Sequence, residues 1–150
     1  MDTYTIQPLT FDHLHRYAEI YAAAFAGSPW NDPWRVEDAE IHVREIMEMK
    51  QSFGLELVAE GDVAGIILGS ATLCHNGRSF EINDLVVAPE YQRRGFARAL
   101  MDACLAELKQ RGIVEVHLTT APEGRLPAFY ESFGFQKKTA IILMGMQLEN

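Results

Sequence analysis

The segment PEYQRRGFARAL, residues 89–100, places three arginines around one glycine in an otherwise acidic chain. The arginines are Arg93, Arg94 and Arg98, and the glycine, Gly95, lies where a predicted strand has ended and a predicted helix begins. The first turn of a helix has unpaired N–H groups and partial positive charge. Glycine and the small Ala97 let another molecule approach this backbone closely. The segment therefore predicts a cradle for phosphate oxygens, with a pyrophosphate as its ligand.

Two common nucleotide sites are excluded by motif. The chain has no GxxxxGK[ST] segment, and no GxGxxG segment follows a strand. A helix cap surrounded by solvated arginines is the alternative interpretation of this turn.

Three residues near the cradle have the chemistry of a proton acceptor. Glu81 and Asp84 lie on the strand just before it, and His117 lies on a neighbouring predicted strand. A carboxylate or histidine can take a proton from an attacking nucleophile. Strand alternation predicts that Glu81 and Asp84 point to opposite faces of the sheet. Ordinary polar strand positions, and for His117 a satisfied core histidine, are the alternatives.

The elements that position these residues follow from hydrophobic periodicity and turn signals. We predict the order β-α-α-β-β-β-α-β-α-β, with a possible further strand at the end. Strands are expected at 3–8, 55–60, 63–74, 79–88 and 113–119, with one or two more in 134–149; helices are expected at 11–27, 36–50, 95–111 and 126–132. Hairpin-linked strands are antiparallel and the strand–helix–strand crossover is parallel, so the sheet is mixed.

The bulk composition excludes several classes of protein. A length of 150 residues without repeat or linker predicts one domain over 1–150. A net charge of -8 argues against nucleic-acid binding and suits a cationic ligand. No signal peptide and no apolar run long enough for a bilayer are evident, so a cytoplasmic protein without a membrane partner is expected. Cys74 and Cys104 are expected to be reduced and buried. The histidines share no ligand spacing, so no metal is predicted.

Two segments resemble one enzyme family. LVVAPEYQRRGFARALM carries Gln92, Arg93, Arg94, Gly95, Phe96 and Ala97 in the Q/R-x-x-G-x-G/A pattern of the Gcn5-related N-acetyltransferases. PAFYESFGFQKK, residues 127–138, resembles a later motif of that family, in the right order and at about the right distance. The resemblance covers nearly the whole chain. It implies an α/β (α+β) acyl-CoA N-acyltransferase fold with a mixed, mostly antiparallel sheet flanked by helices, and acetyl-CoA as cosubstrate.

The resemblance also implies roles for individual residues. The backbone of Leu85, Val86 and Val87 would pair with the pantetheine arm as an added strand does. The amides from Arg93 to Arg98 would hold the pyrophosphate. Tyr130 would protonate the departing thiolate, and Glu81 or Asp84 would serve as the base, with Glu81 ranked first.

The acceptor is left open by the sequence. In this family the loop between the first two helices usually shapes the acceptor pocket, and here it contains Trp30, Asp32 and Trp34. Tryptophan faces and carboxylates can bind an ammonium group, although a tryptophan that anchors the loop on the core is the alternative. The loop resembles the aminoglycoside-type and small-amine branches, and YESFGF resembles the branch that acetylates protein N-termini.

We therefore predict an acetyl-CoA-dependent N-acetyltransferase that moves the acetyl group directly to a primary amine of a small molecule or peptide. A route through Cys104 is disfavoured, because that residue lies mid-helix with no histidine pattern beside it. The alternatives are a non-catalytic acyl-CoA-binding module or sensor and a protein that only binds partners. A homodimer is a further possibility, with AIILMGM at its interface.

Overall fold

The computed structural model describes residues 3–149. The chain divides into two compact units, Met1–Thr119 and Thr120–Asn150. The expectation of one domain over 1–150 stays a prediction.

The first unit is built on a five-stranded mixed sheet. Its strands are β1 (Tyr4–Pro8), β2 (Ser52–Ala59), β3 (Asp62–Cys74), β4 (Gly77–Val87) and β5 (Glu115–His117), in that spatial order. Neighbours from β1 to β4 are antiparallel, and β5 runs parallel to β4. The predicted mixed, mostly antiparallel sheet flanked by helices is confirmed.

Four helices accompany the strands. They are α1 (Leu14–Ala26), α2 (Val36–Met47), α3 (Phe96–Gln110) and, in the second unit, α4 (Leu126–Glu131). A short 3-10 turn, Phe11–His13, precedes α1, and the hydroxyl of Thr10 caps it by accepting from the N–H of Asp12 at 3.2 Å. Gly112 ends α3 with a φ of +80°, the left-handed conformation expected of a C-terminal glycine.

The helices of the first unit cover both faces of the sheet. Glu56 of β2 is buried beneath α1, where the hydroxyl of Tyr17 donates to its carboxylate. On the opposite face α3 packs so closely that a Cβ at Gly65 of β3 would lie 3.2 Å from Leu100. Each helix buries apolar residues at steps of three and four, as its sequence periodicity predicts.

The C-terminal segment differs from the prediction. One or two strands were expected in 134–149, but the described residues after Gly134 form neither helix nor strand. Ile141, Ile142, Leu143 and Met144 are 72–88% exposed. Apolar periodicity indicates that a segment can bury one face, whereas a strand forms only if a neighbouring strand offers its backbone groups. The apolar pattern of a segment carries no information about whether such a neighbouring strand is present.

Cys74 is also placed differently from the expectation. It is exposed at the end of β3, next to the hairpin turn, and Cys104 is buried in α3. Among residues 3–149, no helix has both the length and the apolar character needed to cross a membrane.

Candidate active site

The turn between β4 and α3 holds the arginine-rich segment. A 3-10 turn, Pro89–Tyr91, follows β4, and the side-chain amide of Gln92 donates to the carbonyl oxygen of Val87 at 3.0 Å. Arg93 has a φ of 66° and Gly95 a φ of 81°, both in the left-handed region. These angles fold the backbone into a compact turn directly before the first residue of α3.

Gly95 is the N-cap of α3 and provides no side chain to cap the helix. A Cβ added there would meet nothing within 4 Å, so the space above this glycine is open. Packing within the chain therefore does not explain the absence of a side chain at this position. Helix geometry leaves the N–H groups of Phe96 and Ala97 without partners inside the helix. The turn therefore has the accessible backbone donors that a phosphate cradle requires.

The side chains of the segment divide into two groups. Phe96 is buried, with its ring centroid 5.5 Å from that of Tyr4, and so contributes only its backbone to the turn. Arg94 lies 4.8 Å over the Phe96 ring and forms an ion pair with Glu60 at 3.3 Å. Arg93 and Arg98 are exposed. The contacts with Phe96 and Glu60 therefore hold the charge of Arg94 beside the turn.

The end of β4 presents one edge of its backbone. The N–H of Ala88 donates to Ala64 of β3 at 2.8 Å, and because successive N–H groups alternate, the N–H of Val87 points away from β3. On that side β5 pairs with β4 only at residues 79–81 among the described residues of this unit. The backbone of Leu85, Val86 and Val87 thus lies beyond the pairing of β5, as the added-strand role requires.

A β-bulge changes the expected orientation of the two carboxylates. Leu68 pairs with Asp84 and Gly69 pairs with Ile82, so Asn83 is an extra residue in β4. Ser70 pairs with Glu81, and residues 68 and 70 share a face of β3. Glu81 and Asp84 therefore lie on the same face, and the prediction of opposite faces is wrong. Simple alternation fails because one inserted residue reverses the phase of the strand.

Asp84 belongs to a cluster of side chains beneath α1 and α2. Its buried carboxylate lies 3.1 Å from Nε2 of His42 on α2. Burial, followed by the negative charge of Asp84 and a hydrogen bond to it, raises the pKa of Tyr21 above its ordinary value. The sequence analysis did not single out His42. His42 lies three residues after Ala39 and four before Ile46, and both of these residues are buried. This helical spacing places His42 on the buried face of α2 and could have identified it from the sequence.

The loop between α1 and α2 continues this cluster. The ring of Trp34 lies 5.1 Å from that of Tyr21 and 5.4 Å from that of His42. An open pocket beside it is lined by Asp32, Pro33, Trp34, Arg35 and Asp38. The ring of Trp30 instead lies 5.7 Å from that of Phe25, in a tilted arrangement. Two of the three predicted acceptor residues, Asp32 and Trp34, thus line one pocket, and Trp30 lines no part of it.

Two further predicted site residues are Tyr130 and His117. Tyr130 is half-buried on α4 in the second unit, with its ring 5.2 Å from that of Phe129 and 6.0 Å from that of Phe135. His117 is exposed on β5, and its Nδ1 lies 3.1 Å from the hydroxyl of Ser79. It is therefore not a core histidine.

The comparison with known proteins identifies the family. The sequence model of the acetyltransferase (GNAT) domain matches residues 54–137, more than half of the chain. This chain belongs to the GNAT family. The matched region includes β3, β4, the cradle and α3.

Individual relatives agree with this assignment. "Acetyltransferase SG1711" of Sodalis glossinidius is 27% identical over 121 residues, which cover 80% of this chain and 78% of the relative. The "[Ribosomal protein bS18]-alanine N-acetyltransferase" of Escherichia coli is 33% identical over 78 residues, 51% of this chain and 47% of that one. The structure of the aminoglycoside N-acetyltransferase AAC(6')-Iy in complex with CoA superposes with a TM-score of 0.76 at 18% identity, covering 99% of this chain and 97% of that one. This GNAT protein is an N-acetyltransferase.

The state of Cys104 and the arrangement of potential metal ligands both bear on the chemistry of the site. Burial raises the pKa of the Cys104 thiol to about 12, so this cysteine is no nucleophile at neutral pH. Within residues 3–149, no group of three or more His, Cys, Asp or Glu side chains could hold a metal ion.

Proposed function

We propose that this GNAT acetyltransferase moves the acetyl group of acetyl-CoA directly to a primary amine of a cationic small molecule or of a peptide. The observation that carries the proposal is the turn at Gly95. There a left-handed glycine begins a helix, the helix has no side-chain cap, and the space above the backbone is open.

The first unit offers two features to acetyl-CoA. The amides from Arg93 to Arg98 would bind the pyrophosphate, assisted by the charges of the three arginines. The backbone edge from Leu85 to Val87 would pair with the amides of the pantetheine arm. The N–H of Val87, which points away from β3, would then polarise the thioester carbonyl.

The loop before α2 is proposed to bind the acceptor. Asp32 and Asp38 line its pocket together with the ring of Trp34, and carboxylates beside an aromatic face attract an ammonium group. Arg35 also lines the pocket and would favour an acceptor with a polar or anionic group next to its amine. Trp30, on the same loop, packs with Phe25 outside this pocket and would hold the loop in place. Two relatives are named for an aminoglycoside and for an alanine of ribosomal protein bS18, and N-acetylation of either requires an amine.

The transfer itself requires one proton acceptor and one proton donor. Glu81 or Asp84 would receive the proton of the ammonium group directly or through another group, and the neutral amine would attack the carbonyl carbon. Tyr130 would protonate the sulfur as the C–S bond breaks. The transfer would not pass through an acetyl intermediate on Cys104, because that thiol is buried and protonated.

Binding is tested first, by thermal melts with acetyl-CoA, with CoA and without ligand. Acetyl-CoA at a hundred times its dissociation constant should stabilise the fold by about 2.7 kcal/mol. An aminoglycoside, a polyamine and a peptide beginning with alanine are then assayed for acetylation by mass spectrometry. Absence of both a melting shift and an acetylated product would contradict the proposal, and a shift without any product would favour the non-catalytic sensor.

Assembly as a homodimer is a separate proposal. The exposed apolar residues from Ile141 to Leu148 would lie at the interface between two copies. Light scattering of the protein as it leaves a size-exclusion column gives its mass directly. A monomer at all concentrations would contradict the proposed homodimer.

A further inference from the structure

We propose that His42 is the group that removes the proton of the acceptor's ammonium ion, and that Asp84 is the positioning residue that holds its ring. This inference rests on the proposed function and names the base for the same site. The sequence offered Glu81, Asp84 and His117 as candidates for this base, with Glu81 ranked first.

The first observation is the pairing of the two side chains. Nε2 of His42 lies 3.1 Å from Oδ2 of Asp84, whose side chain is 5% exposed while that of His42 is 33% exposed. An ionised Asp84 favours the tautomer with the proton on Nε2, which leaves the lone pair on Nδ1. The buried carboxylate is thus shielded from the acceptor, and the histidine is the accessible member of the pair.

The second observation is the aromatic surround of the ring. Tyr21 lies 4.9 Å and Trp34 5.4 Å from the His42 ring, measured between centroids. These contacts, together with Asp84, fix the plane of the imidazole. Because its pKa is raised, Tyr21 stays protonated at neutral pH and does not compete for the proton of the acceptor.

The third observation is that Trp34 connects the His42 ring with the pocket. Trp34 contacts the His42 ring and also lines the pocket. Asp38 lines the same pocket one helical turn before His42, so both side chains lie on one side of α2. An ammonium group held by the aspartates of the pocket would therefore be next to the imidazole.

The proton balance of this step is simple. Nδ1 of His42 takes one proton from R–NH3+, giving an imidazolium ion and a neutral amine. The amine nitrogen forms a bond to the thioester carbonyl carbon, and the C–S bond breaks. The second proton lost by the nitrogen ends on the sulfur of CoA, and the imidazolium returns its proton to water.

Several groups around His42 carry charge or titrate. They are Asp84 from β4, Tyr21 from α1, Asp38 from α2 itself, and Asp32 and Arg35 from the loop. The three carboxylates attract the positive charge that the ring gains during the step, and Arg35 repels it. Glu81 lies on the same face of β4 and is the competing base.

The test compares His42→Gln and Asp84→Asn with His75→Gln as a matched control, because His75 is exposed in the β3–β4 turn. The assay uses one acceptor, chosen from the aminoglycoside, the polyamine and the alanine peptide. It is the amine that the wild-type protein acetylates fastest. At about pH 7, His42→Gln should lower kcat/KM for the amine by about 10²-fold, the usual range for a general base. The KM for acetyl-CoA and the acetyl-CoA melting shift should not change, and His75→Gln should match the wild type.

The pH profile distinguishes a base from a structural residue. As the pH rises from about 7 to about 9, more of the free amine is neutral, so the deficit of His42→Gln should shrink. Asp84→Asn should lower kcat and shift the rising limb of the wild-type profile. A deficit that is constant with pH, or an unchanged rate in His42→Gln, overturns the inference, and a pH-dependent deficit in Glu81→Gln alone assigns the base to Glu81. A wild type that neither binds acetyl-CoA nor acetylates any probe overturns the proposed function itself.

Discussion

The side-chain amide of Gln92 donates to the main-chain carbonyl oxygen of Val87 across the turn that joins β4 to α3. One hydrogen bond therefore connects the strand edge proposed for the pantetheine arm with the turn proposed for the pyrophosphate. Because Gln92 is exposed, its contribution should concern the geometry of the turn more than the stability of the core.

Gln92→Ala should weaken acetyl-CoA binding with little effect on folding. Loss of one such hydrogen bond is worth about 0.5–1.5 kcal/mol, or up to roughly tenfold in Kd. Calorimetric titration with acetyl-CoA gives this value, and Gln110→Ala, at the exposed end of α3, is the control. An unchanged Kd for Gln92→Ala would show that the turn keeps its shape without this bond.

Gly95→Ala and Gly112→Ala form a matched pair at the two ends of α3. Their φ angles are +81° and +80°, and a Cβ at either would meet nothing within 4 Å, so the strain should be similar, about 1–2 kcal/mol. Only at Gly95 would the Cβ occupy the proposed phosphate position. Urea unfolding should therefore give similar losses, whereas acetyl-CoA binding should fall only in Gly95→Ala. Equal affinities would remove the cradle from the proposal.

Gly69 should be irreplaceable on packing grounds. A Cβ there would overlap the main-chain oxygen of Glu81 and lie 2.9 Å from the ring of Phe80. Gly69→Ala should cost about 1–3 kcal/mol or more in the free energy of unfolding, as overpacking does. Gly27→Ala is the comparison, since nothing lies within 4 Å of its Cβ. Equal free energies of unfolding for Gly69→Ala and Gly27→Ala would show that β3 tolerates a side chain opposite the bulge in β4.

Tyr17→Phe tests the buried carboxylate of Glu56. The Tyr17 hydroxyl donates to Glu56 and accepts from the N–H of Thr10 at 3.0 Å, so its removal leaves both short of a partner. We expect a loss of about 1–3 kcal/mol in the free energy of unfolding. Tyr4→Phe, at a partly exposed position, should be nearly neutral.

The same tyrosine gives the fold an alkaline pH dependence. Burial, then the hydrogen bond to Glu56, raises the pKa of Tyr17 in the folded state. The unfolded chain therefore releases this proton first, and the stabilisation is complete below about pH 10 and declines above it. Wild-type stability should fall more steeply above about pH 10 than that of Tyr17→Phe. Parallel curves from urea unfolding across this range would contradict the assignment.

Local patterns predicted the fold because most of it is specified locally. Apolar spacing identified each helix. The Glu60–Gly61 turn, with φ angles of 55° and 77°, joins β2 to β3 as one of the predicted hairpins. The turn at Gly95 was predictable for the same reason, since a strand end, a glycine and a helix start are consecutive in sequence. The family resemblance added what these residues would bind.

Features that depend on pairing between distant segments were not predictable. The extra residue Asn83 is recognisable only from the register of β3 against β4, and it decides the face to which Asp84 points. His42 comes next to Asp84 through the packing of α2 on the sheet, 42 residues away in sequence. The expected strand after Gly134 depended on a neighbour that a hydrophobic pattern cannot reveal.

Cys74 stands alone among the two cysteines in facing solvent, at the end of β3. A maleimide dye should therefore label the native protein at a single known position, away from the Gly95 turn and from the His42 cluster. Fluorescence anisotropy of that dye would report tumbling without a genetic fusion. The same thiol makes a reducing agent advisable during storage, because air oxidation would join two molecules through their hairpin tips.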